Sequence, residues 1–501
     1  MRCSIPLLLC GAFATAHAEP PDLRWTLTST VLGLVERNRP DAEVALADGP
    51  GLDTKGYLSP RLDDEAVLFY AGAGLDAQVS NWLSAFAAFD TGLMGERDGE
   101  WRSNGRPMED EVRDTWLLRS LGIELLEPDE GRFGLTLGKQ RISIGQGLIF
   151  DEYALGGEAT VSGEVFSATA GAWWPGRGIE PSGWPMLTAT ARWQPDPFTT
   201  LSVYGLWTRL DGERGEQLAH DVVDRRLLAR QRELERQIAG LPLAELLLRE
   251  QAEQALALVD LCVDPNVVLD PWWLGTRLDM LLDGHVIGLG AALGGGGGTI
   301  DLDRRHTAEC AAREEIVPDR LRDLLDGLLG RFDDREIDLS SFAIDAYWRA
   351  HIRDWLYLGA YFVWMSGDDI SDDDFDVFLA IAPFLPRPAL FFGSGLGSGL
   401  AGRAANAAGY EARGVIAPGL TALVVPVDEA EINLSAGPIF SDVENQNGGR
   451  RYGDELDVRV AWRPDPRLRL SGEMAALLLG DFFADRAVWW RASLSIDGFL
   501  P

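Results

Sequence analysis

The sequence predicts an all-β protein, a transmembrane antiparallel β-barrel of about 18 strands with helical extracellular loop insertions. Three observations lead to this prediction. Apolar and polar residues alternate in segments of about ten residues, the length that a tilted strand needs to cross a bilayer. Tryptophan, phenylalanine and tyrosine cluster at the ends of these segments, as in the aromatic girdles of outer-membrane barrels. The N-terminus carries an export signal, and no later stretch has the length and apolarity of a membrane helix.

Residues 1–18 have the pattern of a secretory signal peptide. Arg2 precedes a short apolar run, and the residues Ala-His-Ala that end at Ala18 form a small-x-small cleavage site before Glu19. We therefore expect residues 19–501 to form the exported barrel. The formal net charge of −33 argues against nucleic acid as a partner.

The alternation with period two is clearest near the C-terminus. In residues 487–497, Val488 and Leu494 fall on one face, while Arg491 and Ser493 fall on the other. A soluble β-sandwich with one wet face alternates in the same way. The length and the number of the segments favour the membrane barrel, in which one face meets lipid and the other lines the lumen.

The same turn sequence occurs twice. The stretch WQPDP at 193–197 recurs as WRPDP at 462–466, each time between alternating segments. Proline fixes φ and aspartate caps the reversal, so both stretches predict tight turns. Because outer-membrane barrels have short turns on the periplasmic side, we expect both turns at the inner rim, with each tryptophan at the membrane interface.

Two long connections interrupt the alternation. The connection 211–271 contains a helical pattern that predicts a two-helix hairpin, and the connection 294–339 combines a glycine run with a short helix. Counting strands from the inner rim places both loop insertions outside the cell. They are predicted to cap the pore; the alternative is a surface extension without a role in transport.

Residues 131–161 resemble the alginate export family of outer-membrane porins. The resemblance rests on GKQ at 138–140, GQG at 145–147 and the return segment LGGEATV, with a looser match at 375–383 and 415–426. It implies a monomeric barrel of about 18 strands. It also implies the export of an anionic polysaccharide through an arginine-rich constriction gated by loops, together with a periplasmic export partner.

Charged residues on the inward face form the candidate pore lining. They are Arg192, Arg277, Asp279, Asp345, Arg349, Asp457, Arg459, Arg469, Glu473, Arg491 and Asp497. Opposite charges on neighbouring strands can cross-link the wall, or they can create a transverse field that orients a polar solute. Positive and negative charges are nearly balanced in this set.

The segment 367–376 contains six aspartates. The candidate calcium ligands are Asp368, Asp369, Asp372, Asp373 and Asp374, because carboxylate oxygens are the ligands that calcium prefers. Without EF-hand spacing, a solvated acidic loop is the alternative. No other cofactor is expected.

Two cysteines follow the signal peptide, Cys262 and Cys310. Both lie in the insertions, and the compartment is oxidising, so we predict a disulfide between them. Two free thiols are the alternative.

The sequence predicts a channel rather than an enzyme. None of the four histidines after the signal peptide lies in a nucleophile motif. We expect a monomeric porin in the outer membrane of a Gram-negative bacterium, in contact with the bilayer and lipopolysaccharide, for diffusion or export of a polar anionic solute or polysaccharide. The alternative is a barrel that serves as a scaffold or docking element and binds a partner protein through its helical insertion.

Overall fold

The computed structural model describes most of the predicted barrel. The described residues are 22–40, 45–46, 57–58, 61–91, 94–97, 100–103, 106–107, 117–127, 132–175, 185–210, 263–304, 335–369, 375–381, 388, 390–392, 405–445, 448–484 and 486–500. None of them belongs to a helix that is long and apolar enough to cross a membrane.

The barrel wall consists of long antiparallel strands in chain order. They are β1 (Asp22–Pro40), β2 (Arg61–Ser80), β3 (Leu83–Asp90), β4 (Leu117–Leu126), β5 (Phe133–Ile144), β6 (Phe150–Ser162), β7 (Phe166–Pro175), β8 (Met186–Asp196), β9 (Thr199–Thr208), β10 (Val263–Leu282), β11 (His285–Arg304), β12 (Arg335–Arg353), β13 (Leu356–Met365), β14 (Val415–Val427), β15 (Ala430–Phe440), β16 (Arg451–Asp465), β17 (Leu468–Leu479) and β18 (Val488–Leu500).

The sheet closes on itself. Each strand pairs with its sequence neighbours, and β1 pairs antiparallel with both β2 and β18. The predicted barrel is confirmed as a closed antiparallel barrel of 18 strands. Closure leaves no barrel strand with an unpaired edge, which a membrane would not tolerate.

Short strands occur at three further places, one continuous with the barrel sheet and two in separate two-stranded sheets. Met94–Arg97, Glu100–Ser103 and Arg106–Pro107 form a meander that starts on β2. Ala45–Leu46 pairs with Tyr57–Leu58, and Leu379–Ile381 pairs with Ala405–Ala407.

The two faces of the wall have opposite character. On β18, Leu494 is 61% exposed, whereas the side chain of Arg491 is 1% exposed. Large apolar side chains on other strands are exposed in the same way, for example Leu456, Leu274 and Leu187. An apolar outer face and a polar inner face are the reverse of a soluble protein and suit a barrel surrounded by lipid.

The two repeated turns share one geometry. In the first, a carboxylate oxygen of Asp196 accepts the backbone N–H of Phe198 at 2.8 Å, and in the second Asp465 accepts that of Arg467 at 2.8 Å. The strand register shifts before each turn. The aspartate therefore satisfies a backbone donor that the reversal leaves without a strand partner.

The predicted boundaries of the two insertions are wrong. β10 begins at Val263, inside the predicted loop 211–271, and β11 continues to Arg304, inside the predicted loop 294–339. Strand β12 begins before that second loop was expected to end. The glycine run 294–298 is paired with β10 on one side and β12 on the other.

Crowding explains why glycines can form a strand here. A Cβ at Gly294 would lie 3.3 Å from the Trp273 ring, and a Cβ at Gly295 would overlap the ring of Trp272. Glycine therefore makes room for two large neighbours on β10. Residues 211–262 and 305–334 lie outside the described residues, so the helical insertions and the Cys262–Cys310 disulfide stay predictions.

Candidate functional site

The loop between β5 and β6 enters the lumen. It begins with Gly145, Gln146 and Gly147, whose φ angles are 64°, 54° and 90°. This left-handed turn redirects the chain, and Leu148 and Ile149 are then buried in the core. Only glycine adopts such angles without strain, which explains the spacing of the two glycines.

Described segments of the loop between β13 and β14 contact opposite sides of the barrel wall. The indole N–H of Trp273 on β10 donates to the carbonyl oxygen of Leu379 in this loop at 2.9 Å. The hydroxyl of Tyr410, near the other end of the loop, donates to the carbonyl oxygen of Pro40 on β1 at 3.2 Å. Because β1 and β10 lie half-way round the barrel from each other, these bonds attach the loop to opposite walls.

A buried carboxylate fastens the middle of this loop. The two carboxylate oxygens of Glu455 on β16 accept the backbone N–H groups of Leu390 at 2.8 Å and Phe391 at 2.9 Å. Leu390 and Phe391 are fully buried. The bonds therefore fix the loop to a third position on the wall.

Aromatic rings fill the space between this loop and the wall. Tyr452 lies 4.5 Å from Phe482 and 5.1 Å from Phe391, and Tyr410 lies 5.1 Å from Phe483, measured between ring centroids. All five side chains are buried. This packing holds the described segments of the loop against the wall.

The first charged cluster lies on β10 and β12. The Arg277 guanidinium bonds to Asp345 at 2.6 Å and to Asp279 at 3.1 Å, and it lies 5.4 Å from the centre of the Tyr347 ring. The side-chain amide of Gln146 donates to Asp279 at 3.2 Å. The cluster thus joins the β5–β6 loop to the wall.

The second charged cluster lies where β1, β17 and β18 meet. Arg491 bonds to Glu473 at 3.1 Å, and the indole N–H of Trp489 donates to Glu36 at 2.9 Å. Arg39 bonds to the other oxygen of Glu36 at 3.2 Å. Glu36, Trp489 and Arg491 are buried, so these bonds hold the wall where the barrel closes.

The other predicted pore residues differ in their partners. Arg469 bonds to Glu431 at 3.3 Å. Asp457 and Asp497 accept hydroxyl hydrogen bonds, at 2.7 Å from Ser435 and at 2.8 Å from Thr30.

Three arginines of the predicted set have no ion pair within the described part of the chain. They are exposed, and they are Arg192, Arg349 and Arg459. The pore-lining role of the whole set stays a prediction.

Three residues that organise the lumen are not among the predicted site residues. Glu455 has the same strand parity as Asp457, so period two alone places it inward. Glu36 precedes the bulge at Asn38, whose φ is 59°, and it could be found in the same way. Gln146 is marked by its two flanking glycines. The sequence does not show which groups bond to Glu455, Glu36 and Gln146, because those groups are distant in the chain.

The candidate calcium site is only partly described. Asp368 is buried and Asp369 is exposed, while Asp372, Asp373 and Asp374 lie outside the described residues. Among the residues that the structure covers, no three potential metal ligands come together. Calcium binding stays a prediction.

The fold has counterparts among solved structures. No protein-family model matches the sequence, and no curated protein does. OpdQ from Pseudomonas aeruginosa is similar over 96% of this chain and 98% of its own, with 9% identity and a TM-score of 0.51. OccK8 (OprE) from the same organism has 12% identity, coverage of 96% and 98%, and a TM-score of 0.50. OccAB1 from Acinetobacter baumannii has 9% identity, coverage of 97% and 98%, and a TM-score of 0.50.

The chain has the fold of the Occ outer-membrane porins. These similar structures are porins and not enzymes. The comparisons give no support to the alginate export family that the sequence resembles. The porin fold and the apolar outer face agree with the predicted location in the outer membrane of a Gram-negative bacterium.

Proposed function

We propose that the protein is an outer-membrane channel for the passive diffusion of small polar solutes, with a preference for anions. The observation that carries this proposal is the closed barrel whose lumen holds charged side chains and two inserted loops. A loop fastened to opposite walls would obstruct a bulky polymer. We therefore favour small solutes over the export of a polysaccharide.

The anion preference rests on the arginines of the predicted pore set that have no ion pair. Asp279, Asp345 and Glu473 each bond to an arginine, whereas Asp457 and Asp497 accept a hydroxyl hydrogen bond and keep their negative charge. Arg192, Arg349 and Arg459 have no ion pair with any described residue and are exposed. Guanidinium groups that keep their charge in a water-filled pore attract anions and repel cations.

Liposome swelling tests this function. We expect liposomes that contain the folded protein to swell in isosmotic solutions of small sugars and monocarboxylates, and not in large dextrans. Equal rates with and without the protein would contradict a channel. No observation on the described residues favours the docking alternative.

Reversing two of the exposed arginines should change ion selectivity. For the double variant Arg349→Glu and Arg459→Glu, we expect the reversal potential in a salt gradient to shift towards cation selectivity, because two lumen charges change sign. The control is Arg463→Glu, which makes the same change of charge near the end of β16, next to a short turn. A reversal potential that stays at the wild-type value in the double variant would rule out these arginines as the selectivity charges.

A further inference from the structure

Gln146 connects the β5–β6 loop to the wall of the barrel. Its exposed side chain reaches from this loop to Asp279 on β10, a residue 133 positions away in the sequence. We propose that Gln146 sets the width of the lumen beside the β5–β6 loop and thereby determines which solutes pass. This inference rests on the proposed channel function.

The backbone at Gln146 is strained. Its φ is 54°, between two glycines that also have positive φ. A side chain at such an angle costs stability that a third glycine would avoid. Strain of this kind persists where the surrounding structure fixes it, and it clusters at functional positions. The position therefore keeps a side chain at a cost to the fold.

Its neighbours hold the turn in place. A Cβ at Gly145 would lie 3.1 Å from the Tyr204 ring, so the turn rests directly on that ring. Tyr204 is buried and cannot easily give way. The direction in which Gln146 leaves the turn is therefore fixed by packing.

The acceptor of the Gln146 bond is fixed as well. Asp279 also accepts hydrogen bonds from the Arg277 guanidinium at 3.1 Å and from the Tyr347 hydroxyl at 3.1 Å. Because the turn and the carboxylate are both held in place, the Gln146 side chain bridges a fixed distance between them. A solute must pass beside this side chain or displace its amide from Asp279.

Two substitutions separate the effect of the backbone strain at Gln146 from the effect of its side chain. Gln146→Gly removes both, and Gln146→Ala removes most of the side chain but keeps the strain. We expect both variants to conduct more current per channel and to admit larger solutes in liposome swelling. Only Gln146→Gly should also unfold at a higher urea concentration than the wild type.

The matched control is Asp283→Gly. Asp283 has a φ of 45° in the β10–β11 turn at the inner rim, next to Gly284. This substitution should raise the urea midpoint in the same way and leave conductance and the size limit unchanged.

The outcomes are distinct. Wild-type conductance and size limit in both Gln146 variants would overturn the inference while the channel function stands. A wild-type protein that folds but does not conduct would overturn both. If Gln146→Gly does not fold, the conductance and the size limit of Gln146→Ala alone test the inference.

Discussion

Replacing Arg277 by leucine is expected to destabilise the folded barrel by about 3–5 kcal/mol. The guanidinium is almost completely buried and bonds to both Asp279 and Asp345. Without it, two neighbouring carboxylates lose their counter-ion in a partly desolvated site. Urea unfolding of the protein in detergent micelles, followed by tryptophan fluorescence, measures the change in the free energy of unfolding.

The control removes one of the two carboxylate charges that lose their counter-ion. In the double variant Arg277→Leu and Asp345→Asn, one carboxylate is neutral, and we expect part of the lost stability to return. A single variant as stable as the wild type would show that the Arg277 cluster is solvated in the lumen and does not hold the wall.

An arginine on the lipid face should have an effect of similar size. Leu494 is the middle residue of β18 and is exposed on the outer face of the barrel. For Leu494→Arg we expect a loss of about 2–4 kcal/mol, since a charge near the bilayer midplane loses its hydration. Unfolding from lipid bilayers, with folded and unfolded protein separated by gel mobility, measures this loss.

Leu500→Arg is the matched control because it places the same charge on the same face at the end of the strand. Its cost should be about 0–1 kcal/mol, as expected near the membrane interface. Equal costs at the two positions would contradict the assignment of the outer face to lipid.

The sequence was sufficient to predict the barrel because the strands of its wall follow one local pattern. Period two separates the lipid face from the lumen face on each strand, so Leu494 and Arg491 could be assigned without the structure. The two aspartate turns are local as well. The number of strands then followed from counting segments.

The pattern fails where side chains are absent or atypical. The glycine run 294–298 has no side chains to alternate, and the start of β10 contains Pro265 and Pro271. Both segments therefore resemble loops. Their strand character depends on pairing with neighbours, such as Trp272 against Gly295, which only the structure provides.

The positions of the inserted loops were beyond sequence analysis for a related reason. The bonds from Glu455 to the β13–β14 loop and from Gln146 to Asp279 join positions far apart in the chain. Charge pattern and periodicity identify which side chains face inwards, but they do not show which loops fold back into the lumen.

The proposed channel function requires an open path past the two inserted loops. Single-channel recording of the purified wild-type protein in a planar bilayer tests it most directly. We predict discrete current steps that scale with salt concentration. The heat-dependent gel shift of an intact barrel verifies that the protein is folded. Folded protein that inserts into the bilayer and gives no current steps would contradict an open path.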